Sequence, residues 1–90
     1  MASIKIPTPL RVYTDNQAQV SVAGETVGAA LNDLTAKYPD LRPHLYEGEK
    51  LRNFVNVFLD DEDVRFLDGL ETEIDSAANL RIIPSIAGGR

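Results

Sequence analysis

The chain begins with apolar side chains at alternate positions, first over residues 3–14 and again over residues 18–24. Alternation is typical of strands that bury one face. Asx and Gln residues at 15–17 have turn chemistry, so the two segments predict an antiparallel hairpin. Pro7 and Pro9 lack backbone donors and indicate an edge, a bulge or a break in the first strand. The alternating residues are Ile4, Ile6, Leu10 and Val12, then Val20 and Val22.

Apolar spacing changes to a helical period between residues 27 and 38. Its members are Val27, Leu31, Leu34 and Tyr38. Steps of three and four residues place these side chains on one stripe of a helix. Thr26 is a suitable N-cap, and Pro39 ends the helix because the residue before a proline avoids the α region. Residues 40–52, with proline, glycine and mixed charge, predict a loop with a short helical turn.

Alternation returns in the second half of the chain. It predicts a strand over 54–59, a polar turn at Asp60–Asp63, a short strand at 64–66, an irregular segment and a last strand over 80–83. The order β-β-α-β-β-β predicts an α+β domain, with one main helix packed on one face of a mixed sheet. We expect the first and last strands to pair in parallel at the centre, as in the β-grasp fold. One domain is predicted over residues 1–86, followed by a flexible tail over 87–90.

Alternation also predicts a second, uncovered face of the sheet. If the helix covers the face that carries Val55, Val57, Leu80 and Ile82, the opposite face carries Phe54, Phe58 and Ile83, and Phe66 can join them. An exposed apolar patch of this kind usually marks a partner surface. Two alternatives remain open: the 40–52 loop covers the patch, or a homodimer does.

Composition narrows the function classes. The net charge of −5 and pI of about 4.6 argue against general nucleic-acid binding. The absence of cysteine removes thiolate metal sites and cysteine nucleophiles. The sequence shows no signal peptide and no run of ~20 apolar residues, so a cytoplasmic protein without membrane contact is expected.

Candidate catalytic and metal-binding residues are few. His44 is the only histidine and has no second imidazole or thiolate near it, so we expect an ordinary loop residue. The carboxylates of Asp60–Asp63 lack the spacing of a calcium loop and predict a solvated turn. No phosphate-binding glycine motif is present. The chain is therefore expected to bind no metal or cofactor and to have no catalytic site of its own.

The segment IIPSIAGGR places a glycine pair, Gly88 and Gly89, just beyond the last predicted strand. Glycine lacks Cβ, so such a tail fits a narrow channel and lets a reacting group come close to the backbone. An ordinary frayed terminus is the alternative.

With this tail, the stretch from VNVFLDDEDVRFLDGLET to IIPSIAGG resembles the ThiS/MoaD family of ubiquitin-like sulfur carriers. The resemblance covers residues 3–89 and includes the helix TVGAALNDLTAKYP. The IPTPLR start is most similar to the CysO-type carriers of cysteine synthesis, and the small subunit of molybdopterin synthase is the next most similar.

The resemblance implies a carrier rather than an enzyme. An E1-like adenylyltransferase uses ATP to activate the terminal glycine carboxylate, a sulfur donor converts it to a thiocarboxylate, and an acceptor enzyme such as cysteine synthase or the large subunit of molybdopterin synthase receives the sulfur. Carrier residues would be Gly88 and Gly89. The residues that dock on the partner would be Phe54, Phe58, Phe66 and Ile83.

Arg90 departs from the family pattern, because active family members end in the second glycine. We expect a peptidase to remove it. A residue added to the natural chain, or a variant that is never activated, is the alternative. A ubiquitin-like modifier that forms isopeptide bonds through the same glycines is the competing function.

Overall fold

The structure, a computed structural model, describes residues 2–48, 50–52 and 55–84. Its strands are β1 (Ala2–Lys5), β2 (Gln19–Val22), β3 (Tyr46–Glu47), β4 (Lys50–Leu51), β5 (Val55–Leu59), β6 (Glu62–Asp63) and β7 (Asn79–Pro84). The α-helices are α1 (Val27–Lys37) and α2 (Arg42–Leu45). Short 3-10 turns cover Thr8–Thr14, Pro39–Leu41, Val64–Phe66 and Gly69–Glu71.

Five strands form one sheet in the order β2-β1-β7-β5-β6, and β3 and β4 form a separate hairpin. β1 and β7 are parallel neighbours at the centre, whereas the other neighbours in the sheet are antiparallel. Helix α1 lies between β2 and the later strands in sequence and contributes its apolar stripe to the same core as the sheet. The predicted β-grasp arrangement is therefore confirmed.

Helix α1 follows the predicted stripe and the predicted bounds. Val27, Leu31 and Leu34 are fully buried. The Ala29 backbone N–H donates to Oγ1 of Thr26 at 3.1 Å, so Thr26 is the N-cap. The helix ends at Lys37, two residues before Pro39, as expected for a chain that cannot stay helical just before a proline.

The first predicted strand is too long. β1 ends at Lys5, and Thr8–Thr14 forms a 3-10 helix instead of continuing the alternation. Arg11 donates through Nε to the Ile6 carbonyl oxygen at 3.0 Å, which holds the chain in this compact path. Val12, predicted to share the inner face with Ile4, is 69% exposed as a result.

The segment after β5 also differs from prediction. The strand expected at 64–66 is a 3-10 turn, because the Asp63 carboxylate accepts from the Arg65 backbone N–H at 2.8 Å and starts a turn. The short edge strand β6 lies earlier, at Glu62–Asp63, within the predicted polar turn. The reversal itself takes only Asp60 and Asp61, at φ values of 49° and 77°. Positive φ at both positions matches the twist of the hairpin, and aspartate tolerates it better than most residues.

Residues 40–52 hold more structure than a loop. The predicted helical turn is confirmed as α2, but the β3–β4 hairpin was not predicted. Leu41, Leu45 and Tyr46 are buried in the core. Burial raises the pKa of the Tyr46 hydroxyl, against a smaller lowering effect of Arg42, whose guanidinium lies 4.5 Å from the ring centroid.

Candidate docking site

Strand β7 carries the chain out of the centre of the sheet. Its last paired residue is Pro84, which lies opposite Val55 at the start of β5. Gly88, Gly89 and Arg90 lie outside the described residues, so their predicted roles stay predictions. The five residues from Pro84 to Gly89 can span at most about 17 Å. Any group that reacts with Gly89 would therefore have to come within that distance of Pro84.

The face of the sheet opposite α1 carries four neighbouring side chains of β5 and β7. We call Asn56, Phe58, Arg81 and Ile83 the outer face. Phe58 lies opposite Arg81 and Asn56 lies opposite Ile83, so the four form one continuous patch. Phe58 is half-buried and Ile83 is 37% exposed. The structure thus places two of the four predicted docking residues, Phe58 and Ile83, on the face away from α1; Phe54 lies outside the described residues.

Polar side chains hold this patch in place. Asn56 donates through Nδ2 to the Ile83 carbonyl oxygen at 3.3 Å, a bond that supplements the ladder between β5 and β7. Arg81 lies 3.5 Å from the Asp61 carboxylate, a largely exposed pair that contributes little to stability. Sequence reasoning missed both Asn56 and Arg81 because it selected only apolar residues. Strict alternation from Phe58 and Ile83 would have found them.

Phe66 occupies a different position from the outer face. It ends the 3-10 turn after β6, and its side chain is 83% exposed. Arg65, its neighbour, donates through Nη2 to the Val55 carbonyl oxygen at 2.9 Å, which ties this turn to the start of β5. Phe66 is therefore an exposed aromatic residue of the β5 side of the domain, but it has no strand register with Phe58 or Ile83.

The described residues of the 40–52 segment, all but residue 49, do not cover the outer face. Its buried residues, Leu41, Leu45 and Tyr46, pack in the core that α1 shares with the sheet. Ile83 keeps more than a third of its surface exposed in their presence. One of the two alternatives for the apolar patch is therefore removed, and a partner protein or a second copy remains.

His44 has a structural partner rather than a ligand set. It lies in α2 instead of a loop, and its ring stacks on Tyr13 with centroids 4.2 Å apart. Within residues 2–48, 50–52 and 55–84, no group of three or more His, Cys, Asp or Glu side chains could hold a metal ion. No helix in these ranges is long and apolar enough to cross a membrane.

Comparison with known proteins extends this picture. The chain is 42% identical over 90 residues to the sulfur carrier protein CysO of Mycobacterium tuberculosis strain H37Rv, with 97% of each chain covered. The Amycolatopsis orientalis BexX/CysO complex contains a chain with a TM-score of 0.91 and 38% identity, covering 99% of this chain and all of that one. Small archaeal modifier protein 3 of Haloferax volcanii is 36% identical over 64 residues, which are 71% of this chain and 70% of the modifier.

The family comparison spans nearly the whole sequence. Its match begins at residue 4, in β1, and continues through the central strand β7 to residue 89. Both the confirmed β-grasp domain and the glycine pair fall inside it. The chain therefore belongs to the ThiS family.

Proposed function

We propose that this chain is a sulfur carrier whose Gly89 carboxylate is adenylated by an E1-like enzyme, converted to a thiocarboxylate and used in cysteine biosynthesis. The observation that carries the proposal is the extent of the family match, which ends at Gly89 and so includes the glycine pair as well as the domain. The full-length similarity to a sulfur carrier protein supports it.

The proposed chemistry takes place on the chain's own carboxylate. A Gly89 oxygen attacks the α-phosphorus of ATP, pyrophosphate leaves, and an acyl adenylate forms. A sulfide donor then attacks the carbonyl carbon, and AMP leaves with the electron pair of the broken C–O bond. The product is a thiocarboxylate, whose sulfur is nucleophilic and is passed on to the acceptor substrate. ATP is used in the partner's site, so the carrier needs no cofactor and no cysteine.

Arg90 must be removed before this chemistry can begin. While the Gly89–Arg90 peptide bond is intact, the Gly89 carbonyl is an amide and has no carboxylate to adenylate. Hydrolysis of the Gly89–Arg90 bond by a peptidase, with water as the co-reactant, removes Arg90 and leaves the required carboxylate. We therefore propose that the sequence through Arg90 is a precursor of the active carrier.

The described residues supply the docking surface for this reaction. The outer face lies beside the strand that leads to the tail, and its apolar members Phe58 and Ile83 are accessible to a partner. Phe66 adds an exposed ring on the β5 side. In this proposal the adenylyltransferase binds the outer face, while Gly88 and Gly89 enter its active site. Glycine suits that role because a narrow channel excludes any Cβ.

Intact-mass analysis tests the proposal directly. Protein ending at Gly89 is incubated with its adenylyltransferase, ATP and a sulfide source, and we expect a mass gain that equals replacement of one oxygen by sulfur. Protein that retains Arg90 is the matched control and should gain nothing unless the peptidase is added. Gly88→Ala should fold normally but be activated more slowly. An unchanged mass for the Gly89 form with an active enzyme would refute the carrier function.

A ubiquitin-like modifier is the second candidate, and the similarity to small archaeal modifier protein 3 favours it. In that case the activated Gly89 forms isopeptide bonds with lysine amines. The same incubation distinguishes the two, because a modifier yields adducts on lysines of other proteins. Offering the thiocarboxylate to cysteine synthase and to the large subunit of molybdopterin synthase in parallel then identifies the acceptor.

A further inference from the structure

Strand β2 forms one border of the five-stranded sheet and carries none of the usual protection of an edge strand. Its sequence, QVSV, contains no charged residue and no proline. Gln19 and Ser21 are both exposed. Exposed strand edges of this kind are templates for pairing with another chain, and proteins normally block them with lysine, proline or a bulge.

The pairing of β1 with β2 determines which backbone groups of β2 face outward. The Ile6 N–H donates to the Ala18 carbonyl oxygen at 2.8 Å, so residue 18 faces β1. Because backbone groups alternate along an antiparallel strand, Val20 and Val22 also face β1. The N–H and C=O groups of Gln19, Ser21 and Ala23 therefore face away from the sheet, toward the open edge.

Two side chains of α1 already occupy groups on this open edge. Lys37 donates through Nζ to the Ser21 carbonyl oxygen at 2.7 Å. The Ala23 N–H donates to Oδ2 of Asp33 at 2.9 Å. Asp33 and Lys37 are one helical turn apart and also bond each other at 3.2 Å. The ion pair thus lies across the edge of β2 and occupies one of its outward-facing carbonyl groups and one backbone N–H just beyond its end.

Pairing of two copies through β2 would need those same groups. In a two-fold antiparallel arrangement centred on Ser21, the two Ser21 residues exchange hydrogen bonds with each other, and Gln19 of one copy pairs with Ala23 of the other. The central pair then requires the Ser21 carbonyl that Lys37 holds. The flanking pair requires the Ala23 N–H that Asp33 holds.

We propose that the Asp33–Lys37 pair blocks the β2 edge and so prevents a second copy of this chain from pairing with it. The inference concerns the β2 edge of the sheet, whereas the docking site is on the outer face of β5 and β7, and it does not depend on the proposed function. Backbone donation from Ala23 also lowers the pKa of Asp33.

Measuring the molar mass by light scattering after size exclusion tests the proposal. Wild-type protein should remain at its monomer mass of 9.9 kDa across the accessible concentration range. The variant Asp33→Ala/Lys37→Ala should shift toward twice that mass or higher as concentration rises. Glu47→Gln/Lys50→Ala is the matched control, since it also removes one exposed acidic and one exposed basic side chain without changing net charge; it should remain monomeric.

A third substitution determines whether association uses the β2 edge. Adding Ser21→Pro removes an outward-facing N–H and should return the double variant to the monomer, while the bonds between β1 and β2 are kept. If the double variant unfolds, Lys37→Ala alone serves, because it frees the Ser21 carbonyl that the central pair needs. The proposal would be overturned if the variant lacking the Asp33–Lys37 pair stayed monomeric at the highest concentration. It would also be overturned if association persisted after Ser21→Pro was added.

Discussion

The two faces of the sheet are built from the same strands but differ in almost every physical property. On the inner face, Val55, Val57, Leu80 and Ile82 are each 1% exposed and pack under α1. On the outer face, the residues between them are Asn56, Phe58, Arg81 and Ile83, which are half-buried or exposed. Adjacent residues of β5 or β7 therefore occupy a core position and a candidate docking position.

This difference shows how a small domain can carry a binding surface without weakening its core. Successive residues of a strand point to opposite faces, so stability and recognition can be changed independently. Ile82 and Ile83 make the contrast clearest, because two isoleucines at adjacent positions serve different faces. Substitutions at these positions test whether the inner face determines stability and the outer face determines recognition.

The largest effect is expected from Ile82→Ala. Removing a buried isoleucine side chain loses its transfer free energy and leaves a cavity, which should cost about 2–4 kcal/mol of unfolding free energy. Ile83→Ala, the matched control, should cost less than about 1 kcal/mol because its side chain is already 37% exposed. Chemical denaturation of both variants measures the difference. Equal losses would show that the outer face is part of the core.

The reverse contrast is expected for activation by the adenylyltransferase. Ile83→Asp places a charge in the apolar part of the outer face and should slow activation at least about tenfold, which corresponds to ~1.4 kcal/mol of lost binding. Asn32→Asp, at an exposed position of α1 on the other side of the sheet, adds the same charge away from the outer face and should have little effect. Rates of pyrophosphate release report the result, and equal rates for the two variants would argue against docking at the outer face.

A smaller loss of stability is expected when the N-cap of α1, the helix that packs on the inner face, is removed. Thr26→Ala removes the side-chain acceptor for the Ala29 N–H and should lower the unfolding free energy by about 1 kcal/mol. Thr26→Ser keeps an oxygen in place and should recover most of the loss. Thermal unfolding of the two variants provides the check, and an Ala variant as stable as wild type would mean that the cap contributes nothing.

The smallest expected effect is a change in acid sensitivity. In the folded protein, the bond from the Ala23 N–H and the contact with Lys37 lower the pKa of Asp33 below its ordinary value of 3.8. Its contribution to stability is therefore present above about pH 4 and is lost as the pH falls through the lowered pKa. Asp33→Asn should make the unfolding free energy fall less steeply with acid below this point. An unchanged slope in acid denaturation would contradict this assignment.

The sequence predicted the parts of the fold in which one period persists over several residues. The helical stripe from Val27 to Leu34 and the alternation from Val55 to Val57 both end at a clear signal, a cap or a turn. The β-grasp pairing of the first and last strands is a topology expectation that periodicity alone does not give, and the structure confirms it. The prediction of an outer apolar face depended on the same alternation.

The errors occurred where side chains bond to the nearby backbone. Alternation over Leu10 and Val12 predicted a strand, but Arg11 bonds the Ile6 carbonyl and the chain turns. At residues 64–66, the Asp63 carboxylate starts a turn that periodicity cannot reveal. The blocked edge of β2 could not be predicted either, because it depends on α1 side chains that meet Ser21 and Ala23 only after folding.

The parallel pair at the centre of the sheet also affects how the domain folds. β1 and β7 join Ser3 to Asn79, so the innermost strand contact is also one of the longest in sequence. Contacts of such separation close late and slow folding, because chain entropy is lost before they form. During synthesis, β1 and β2 must wait for residues 79–84 before the sheet is continuous. The strand that leads to the glycine pair is thus also the one that completes the sheet.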